Sequence, residues 1–291
     1  MMRGMSLAAL AILVLSLSIS NASADTPAAY VWPGAELSGV ALPSGADGSG
    51  PAASGDFGVE DGGAILYLSK DGELRQPPSG KPLPSRSPLK LDAFASGSGV
   101  LIGVRGNVLG VIGPGGFSER IVLPGPGYRV ATGAGGRIYA FGPARGGSSV
   151  LLIENGRALE LIHLTGEAVS DLFVIGERIF FCAGNRIYVA ARGEKPALLF
   201  MAAGEKVLRS VAPDTRSGVL FFSGDDAVYA LRGSSSVSVV KGASGRLRST
   251  ARGLFILDAG ASRLLLVSGL DRVFAPQEGI APPDTPTESM K

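Results

Sequence analysis

The sequence predicts an all-β chain made of repeats, and three features carry that expectation. A unit with a glycine or charged start and a run of apolar β-formers recurs six times. Its starts are Gly63, Gly99, Gly136, Glu177, Gly218 and Gly253, spaced 36, 37, 41, 41 and 35 residues apart. Turn residues follow these runs and lead into a second β-rich run: Lys70-Asp71-Gly72, Arg105-Gly106-Asn107, Ala183-Gly184-Asn185 and Gly224-Asp225-Asp226. Such turns between apolar runs are hairpin signals. The third feature is composition. The 291 residues include 43 Gly and 19 Pro, which disfavour helix interiors, and no helix-period segment stands outside the first two dozen residues.

Each unit carries flanking strands. In the fourth, strands are expected at 169–175, 178–182, 186–191 and 197–202. Four short strands per roughly 40 residues is the blade of a β-propeller. A β-helix needs shorter rungs, and a sandwich need not repeat its sequence. Residues 53–274 hold the six units, so a six-bladed β-propeller of four-stranded antiparallel blades is expected. The last unit has clear strands at 247–251, 254–257 and 263–267 but a doubtful fourth. The N-terminal stretch 36–42 resembles that missing strand and would close the ring; residues 272–275 are the rival.

Residues 1–24 read as a secretory signal peptide. Arg3 supplies the positive start, 6–19 is an apolar run too short for a comfortable span, and Ala22-Ser23-Ala24 forms an A-x-A cleavage site. An uncleaved anchor is the rival reading. With no Cys after the apolar run, nothing marks a lipoprotein. The organisation expected is a signal peptide at 1–24, an N-terminal segment with the closing strand at 25–52, the propeller at 53–274 and a disordered tail at 275–291. Residues 43–54 read as a loop. Residues 76–88, with five prolines, read as an extended excursion from the first blade. Export implies a periplasmic or extracellular protein with no membrane span once the signal is cleaved.

The repeats beginning Gly218-Val-Leu-Phe-Phe-Ser and Gly253-Leu-Phe-Ile-Leu-Asp resemble the blades of the NHL-repeat and gluconolactonase-like six-bladed propellers. The resemblance covers most of 53–274 and is one of fold, which does not fix function. For a gluconolactonase-like hydrolase it implies a divalent metal in the channel held by acidic and Asn ligands. This sequence departs from that pattern: Asn107, Asn155 and Asn185 all fall in expected turns.

Aligning the blades on their second strands places a charged residue near each first strand: Asp56, Asp92, Arg129, Asp171, Arg209 and Arg248. Their spacings, 36, 37, 42, 38 and 39, follow the blade period. First strands line a propeller's channel, so a ring of three Asp and three Arg is expected around one mouth. It reads either as a structural plug of mutually paired charges or as a ligand- or peptide-binding site in which guanidiniums fork onto a carboxylate or phosphate. Asp56 and Asp92 alone would make a weak cation site opposed by three Arg.

Composition narrows the chemistry. There are 27 Lys and Arg against 25 Asp and Glu, which is not the basic footprint of a nucleic-acid binder. One His and one Cys exclude sites built from several of either. Cys182, within Ile179-Phe-Phe-Cys-Ala, reads as a core residue, and His163 as an outer-strand residue. Trp32 reads as packing against a blade edge. The expectation is a non-catalytic exported module, monomeric, without cofactor, that binds a protein or peptide. The alternatives are a metal-dependent lactonase or esterase using Asp56 and Asp92, and a small-anion sensor or transport accessory.

Overall fold

The computed structural model describes residues 30–43, 53–60, 63–83 and 89–274. The segments expected as signal peptide and tail, and most of the 43–54 loop, lie outside the described residues. Six antiparallel sheets follow one another along the chain. Blade 1 is Ala53–Val59, Ile65–Ser69, Leu74–Gln76 and Lys81–Pro82. Blade 2 is Ala93–Gly97, Val100–Arg105, Val108–Gly113 and Gly116–Val122. Blade 3 is Arg129–Thr132, Ile138–Ala144, Gly147–Glu154 and Arg157–Thr165. Blade 4 is Val169–Ile175, Arg178–Ala183, Arg186–Ala191 and Ala197–Met201. Blade 5 is Ser210–Asp214, Val219–Ser223, Ala227–Arg232 and Ser235–Lys241. Blade 6 begins Arg246–Thr250, Gly253–Asp258 and Arg263–Ser268.

Inner strands have neighbours on both faces, so they read as apolar runs rather than alternating patterns. Val219–Ser223 is buried at every position, whereas the outer strand Ala197–Met201 is mostly exposed. Each blade packs on the next through its own apolar cluster, and the clusters follow one another round the ring. Phe221 and Val228 meet Ile256 and Val267 between blades 5 and 6. Phe57 and Tyr67 meet Phe255 and Leu257 between blades 1 and 6. Burying one such side chain is worth roughly 1.5–3 kcal/mol.

The N-terminal segment straps the two last blades together. Tyr30–Val31 pairs with Ser235–Lys241 as a fifth strand of blade 5, and the Trp32 amide donates to the Val239 carbonyl at 2.9 Å. The chain then crosses to blade 6, where Glu36–Ala41 pairs antiparallel with Arg263–Ser268 at six positions. Trp32, like Val31, Val237 and Phe274, packs against the apolar cluster between blades 5 and 6. Leu270–Arg272 forms a 3-10 turn, so the start of the rival closing segment is not a strand.

The loop expected at 76–88 is corrected over 76–83; residues 84–88 lie outside the described residues. Residues 77–80 form a tight turn, and Lys81–Pro82 folds back on Arg75–Gln76 as the outer strand of blade 1. Gly80 makes this possible: its φ of +64° suits the turn, and its amide donates to the Gln76 carbonyl at 2.9 Å. Pro82 is tolerated because it sits on an edge strand. Among the described residues no helix is long and apolar enough to cross a membrane.

Candidate functional site

The innermost strand of each blade touches that of the next, round to the contact between Arg246–Thr250 and Ala53–Val59. A repeated hydrogen bond fixes which positions are equivalent. Asp56 Oδ2 accepts from the Phe94 amide at 3.4 Å, Asp171 Oδ2 from Val211 at 3.3 Å, and Ser210 Oγ from Leu247 at 2.9 Å. The structural column is therefore Asp56, Ala93, Arg129, Asp171, Ser210 and Arg246. Each of these precedes an apolar residue that is at most 1% exposed: Phe57, Phe94, Val130, Leu172, Val211 and Leu247. The column runs acid, small, Arg twice around the ring.

Side chains from blades 1, 3, 4 and 6 meet at the axis. Arg129 Nη2 pairs with Asp56 Oδ1, and its Nη1 donates to the Ser170 carbonyl at 2.9 Å. Arg246 places Nη1 3.4 Å from Asp56 Oδ1 and Nη2 3.2 Å from Asp171 Oδ1. Arg248 Nη1 lies 3.8 Å from Asp171 Oδ2 and its guanidinium sits over the Phe57 ring at 5.7 Å. Ser210 Oγ donates to Asp171 Oδ2. Burial pushes the Asp171 carboxyl above the usual carboxylate range, and the positive charges of Arg248 and Arg129 only partly oppose that rise.

Four of the six expected ring residues thus share one network: Asp56, Arg129, Asp171 and Arg248. The other two do not join it. The Asp92 carboxylate is exposed and accepts the Gly106 amide at 2.5 Å. Arg209, its side chain 55% exposed, lies 3.7 Å from Asp225 instead. Both sit one residue before the column, and a one-residue step in a strand turns a side chain to the other face. Arg246, which bridges the two carboxylates, and Ser210 were missed. The signal that finds them is the buried apolar residue that follows, not charge.

Above the network opens a funnel of about 860 Å³, lined by Asp56, Arg129 and Arg246 and, toward its mouth, by Asp92, Val207, Arg209, Asp225 and Asp226. Gly245 lets the chain enter this wall: its φ is +150°, and a Cβ there would meet the Leu257 carbonyl oxygen at 2.0 Å. A wider backbone would displace Arg246, the next residue.

The channel does not fit the divalent metal that a gluconolactonase-like reading implies. Asp56 and Asp171 face guanidiniums, a hydroxyl and backbone amides, all donors that exclude a cation. Asn107, Asn155 and Asn185 lie in turns between strands. Among the described residues no group of three or more His, Cys, Asp or Glu is placed to hold a metal ion. Cys182 is fully buried, and burial, with the nearby Asp171 charge, pushes its thiol well above its ordinary range. His163 lies on the outer strand of blade 3, 3.6 Å from Glu160.

No family model matches the sequence, and no curated protein matches it. Solved structures do. A gluconolactonase from Xanthomonas campestris matches at 10% identity and TM-score 0.61, over 80% of this chain and 89% of that one. An auxiliary nutrient binding protein from Bacteroides thetaiotaomicron matches at 9% identity and TM-score 0.59, over 80% and 76%. A catalytically inactive virginiamycin B lyase from Staphylococcus aureus, with quinupristin, matches at 14% identity and TM-score 0.50, over 70% and 73%. These neighbours include enzymes and a binding protein, so what they share with this chain is architecture. The chain is a six-bladed β-propeller.

Proposed function

We propose that this chain is an exported, non-catalytic binding module that takes a peptide, or a segment of a protein, in the funnel. The observation that carries the reading is the commitment of Asp56 and Asp171 to Arg129, Arg246 and Arg248. Carboxylates locked by guanidiniums are poor bases and poor metal ligands, so the channel reads as a closed floor. The loops above it form a concave wall on a rigid ring, an arrangement suited to recognition. Export rests on the apolar N-terminal run and the Ala22-Ser23-Ala24 site.

Val207, 48% exposed and on the funnel wall, gives the test. The mature protein and Val207→Trp are used as baits in extract from the source compartment. A partner held by the first and released by the second is the expected result. Equal capture by both, or hydrolysis of lactone or ester substrates by the purified protein, contradicts the reading.

A further inference from the structure

The charge on the funnel floor does not balance. Three guanidiniums, Arg129, Arg246 and Arg248, face two carboxylates, Asp56 and Asp171, which leaves one positive charge over. Arg246 is the deepest cation, its side chain 2% exposed; its Nε and Nη1 have no hydrogen-bond partner, with Nη1 held only by the 3.4 Å ion pair to Asp56, and Asp171 Oδ1 is the one acceptor beside them equally without a hydrogen bond. Burying a cation with unmet donors is costly, and an anion relieves that cost. Arg129, 32% exposed, stands beside it on the funnel wall.

The mouth has the opposite sign. Asp92, Asp225 and Asp226 are exposed on the funnel lining, against Arg209 alone. Asp258 also lines it but is held by Arg263 at 2.9 Å. An anionic group is therefore favoured at the bottom and a cationic group at the top.

We propose that the funnel recognises a ligand with a carboxylate at one end and a cationic group at the other, as in the free C-terminus of a short peptide carrying a basic side chain. The inference rests on the binding reading above and names the chemistry of that site. The carboxylate meets the unpartnered Nε and Nη1 of Arg246, donors for its two oxygens, and the N–H groups of Arg129 not taken by Ser170 and Asp56. The basic group meets Asp225 and Asp226. A single excess positive charge selects a monoanion: a phosphate dianion would set its second charge against Asp56 and the acidic mouth. The funnel's volume lies within the range of pockets that enclose small ligands.

The test is calorimetric titration of the folded protein with N-acetylated Gly-Gly-Lys as free acid, with its C-terminal amide, with N-acetylated Gly-Gly-Ala, and with inorganic phosphate, so that the lysine side chain is the one cationic group. The free acid binds, the amide and phosphate do not, and Gly-Gly-Ala binds more weakly. Arg129→Gln weakens the free acid by about tenfold or more, the loss of a charge-assisted pair. Asp225→Asn with Asp226→Asn, both exposed and harmless to the fold, weaken Gly-Gly-Lys and leave Gly-Gly-Ala unchanged. Equal binding of acid and amide, preference for phosphate, or no binding of the acid overturns the inference. Where the tripeptide fails but Val207→Trp still abolishes partner capture, the funnel remains a binding site and only its carboxylate chemistry falls. Where both fail, both readings fall.

Discussion

Arg246 and Asp171 meet with Nη2 3.2 Å from Oδ1, although one belongs to blade 6 and the other to blade 4. Ser210, on the blade between them, completes the link: it donates to Asp171 and accepts the Leu247 amide. Removing the guanidinium leaves a fully buried carboxylate short of a partner. Pairing of this kind joins blades far apart in sequence across the channel.

Arg209 behaves differently. Its side chain is half exposed and its contact with Asp225 is 3.7 Å, so solvent screens it. Arg209→Ala should change unfolding free energy by less than about 0.5 kcal/mol in urea titration. A loss of several kcal/mol would place Arg209 inside the network.

Tyr229 gives a pH signature. Burial first, then its 2.7 Å bond to Glu205 and the carboxylates around it, push its phenol up to about 12. The unfolded phenol ionises near 10. Between these values the native state holds the proton that the unfolded state has lost. Stability from Tyr229 is therefore complete below pH 10 and is lost as pH rises toward 12. Tyr229→Phe should flatten the fall in melting temperature over that window. An unchanged slope would contradict the assignment.

Cys182 should be inert. It is fully buried, with its thiol held in the protonated form. A disulfide-exchange reagent should label it only after denaturant is added, and rapid labelling of the native protein would show an open blade 4.

The N-terminal strap should behave as part of the ring. A chain starting at residue 44 loses the partner of Arg263–Ser268 and the fifth strand of blade 5. An uncovered apolar strand edge invites aggregation. The truncated protein should melt lower and self-associate, and a synthetic peptide of residues 30–43 should restore it. Unaltered melting would mean that the strap contributes nothing.

Blade number and strand order are legible in the sequence because the glycine-to-apolar unit repeats at a nearly constant period. The axial column is only half legible. Asp56, Arg129 and Asp171 lie in it, but Asp92 and Arg209 fall one residue short and Arg248 two beyond. Register shifts within Ala53–Phe57 and Val169–Asp171 upset simple counting. Ala93 and Ser210 carry no charge, so a search for charge passes over them. The funnel is not legible at all, since segments from all six blades meet only in the folded ring.

The channel charges act as one structural network that forms the floor of the funnel. A double-mutant cycle on Arg246 and Asp171 measures this most directly, with urea unfolding of the native chain, Arg246→Met, Asp171→Asn and the double variant. Arg246→Met and Asp171→Asn should each cost about 3–5 kcal/mol, because each breaks a buried ion pair and leaves the other charge uncompensated. The double variant should lose at least about 1 kcal/mol less than the two singles together. Two small effects that simply add would contradict the claim.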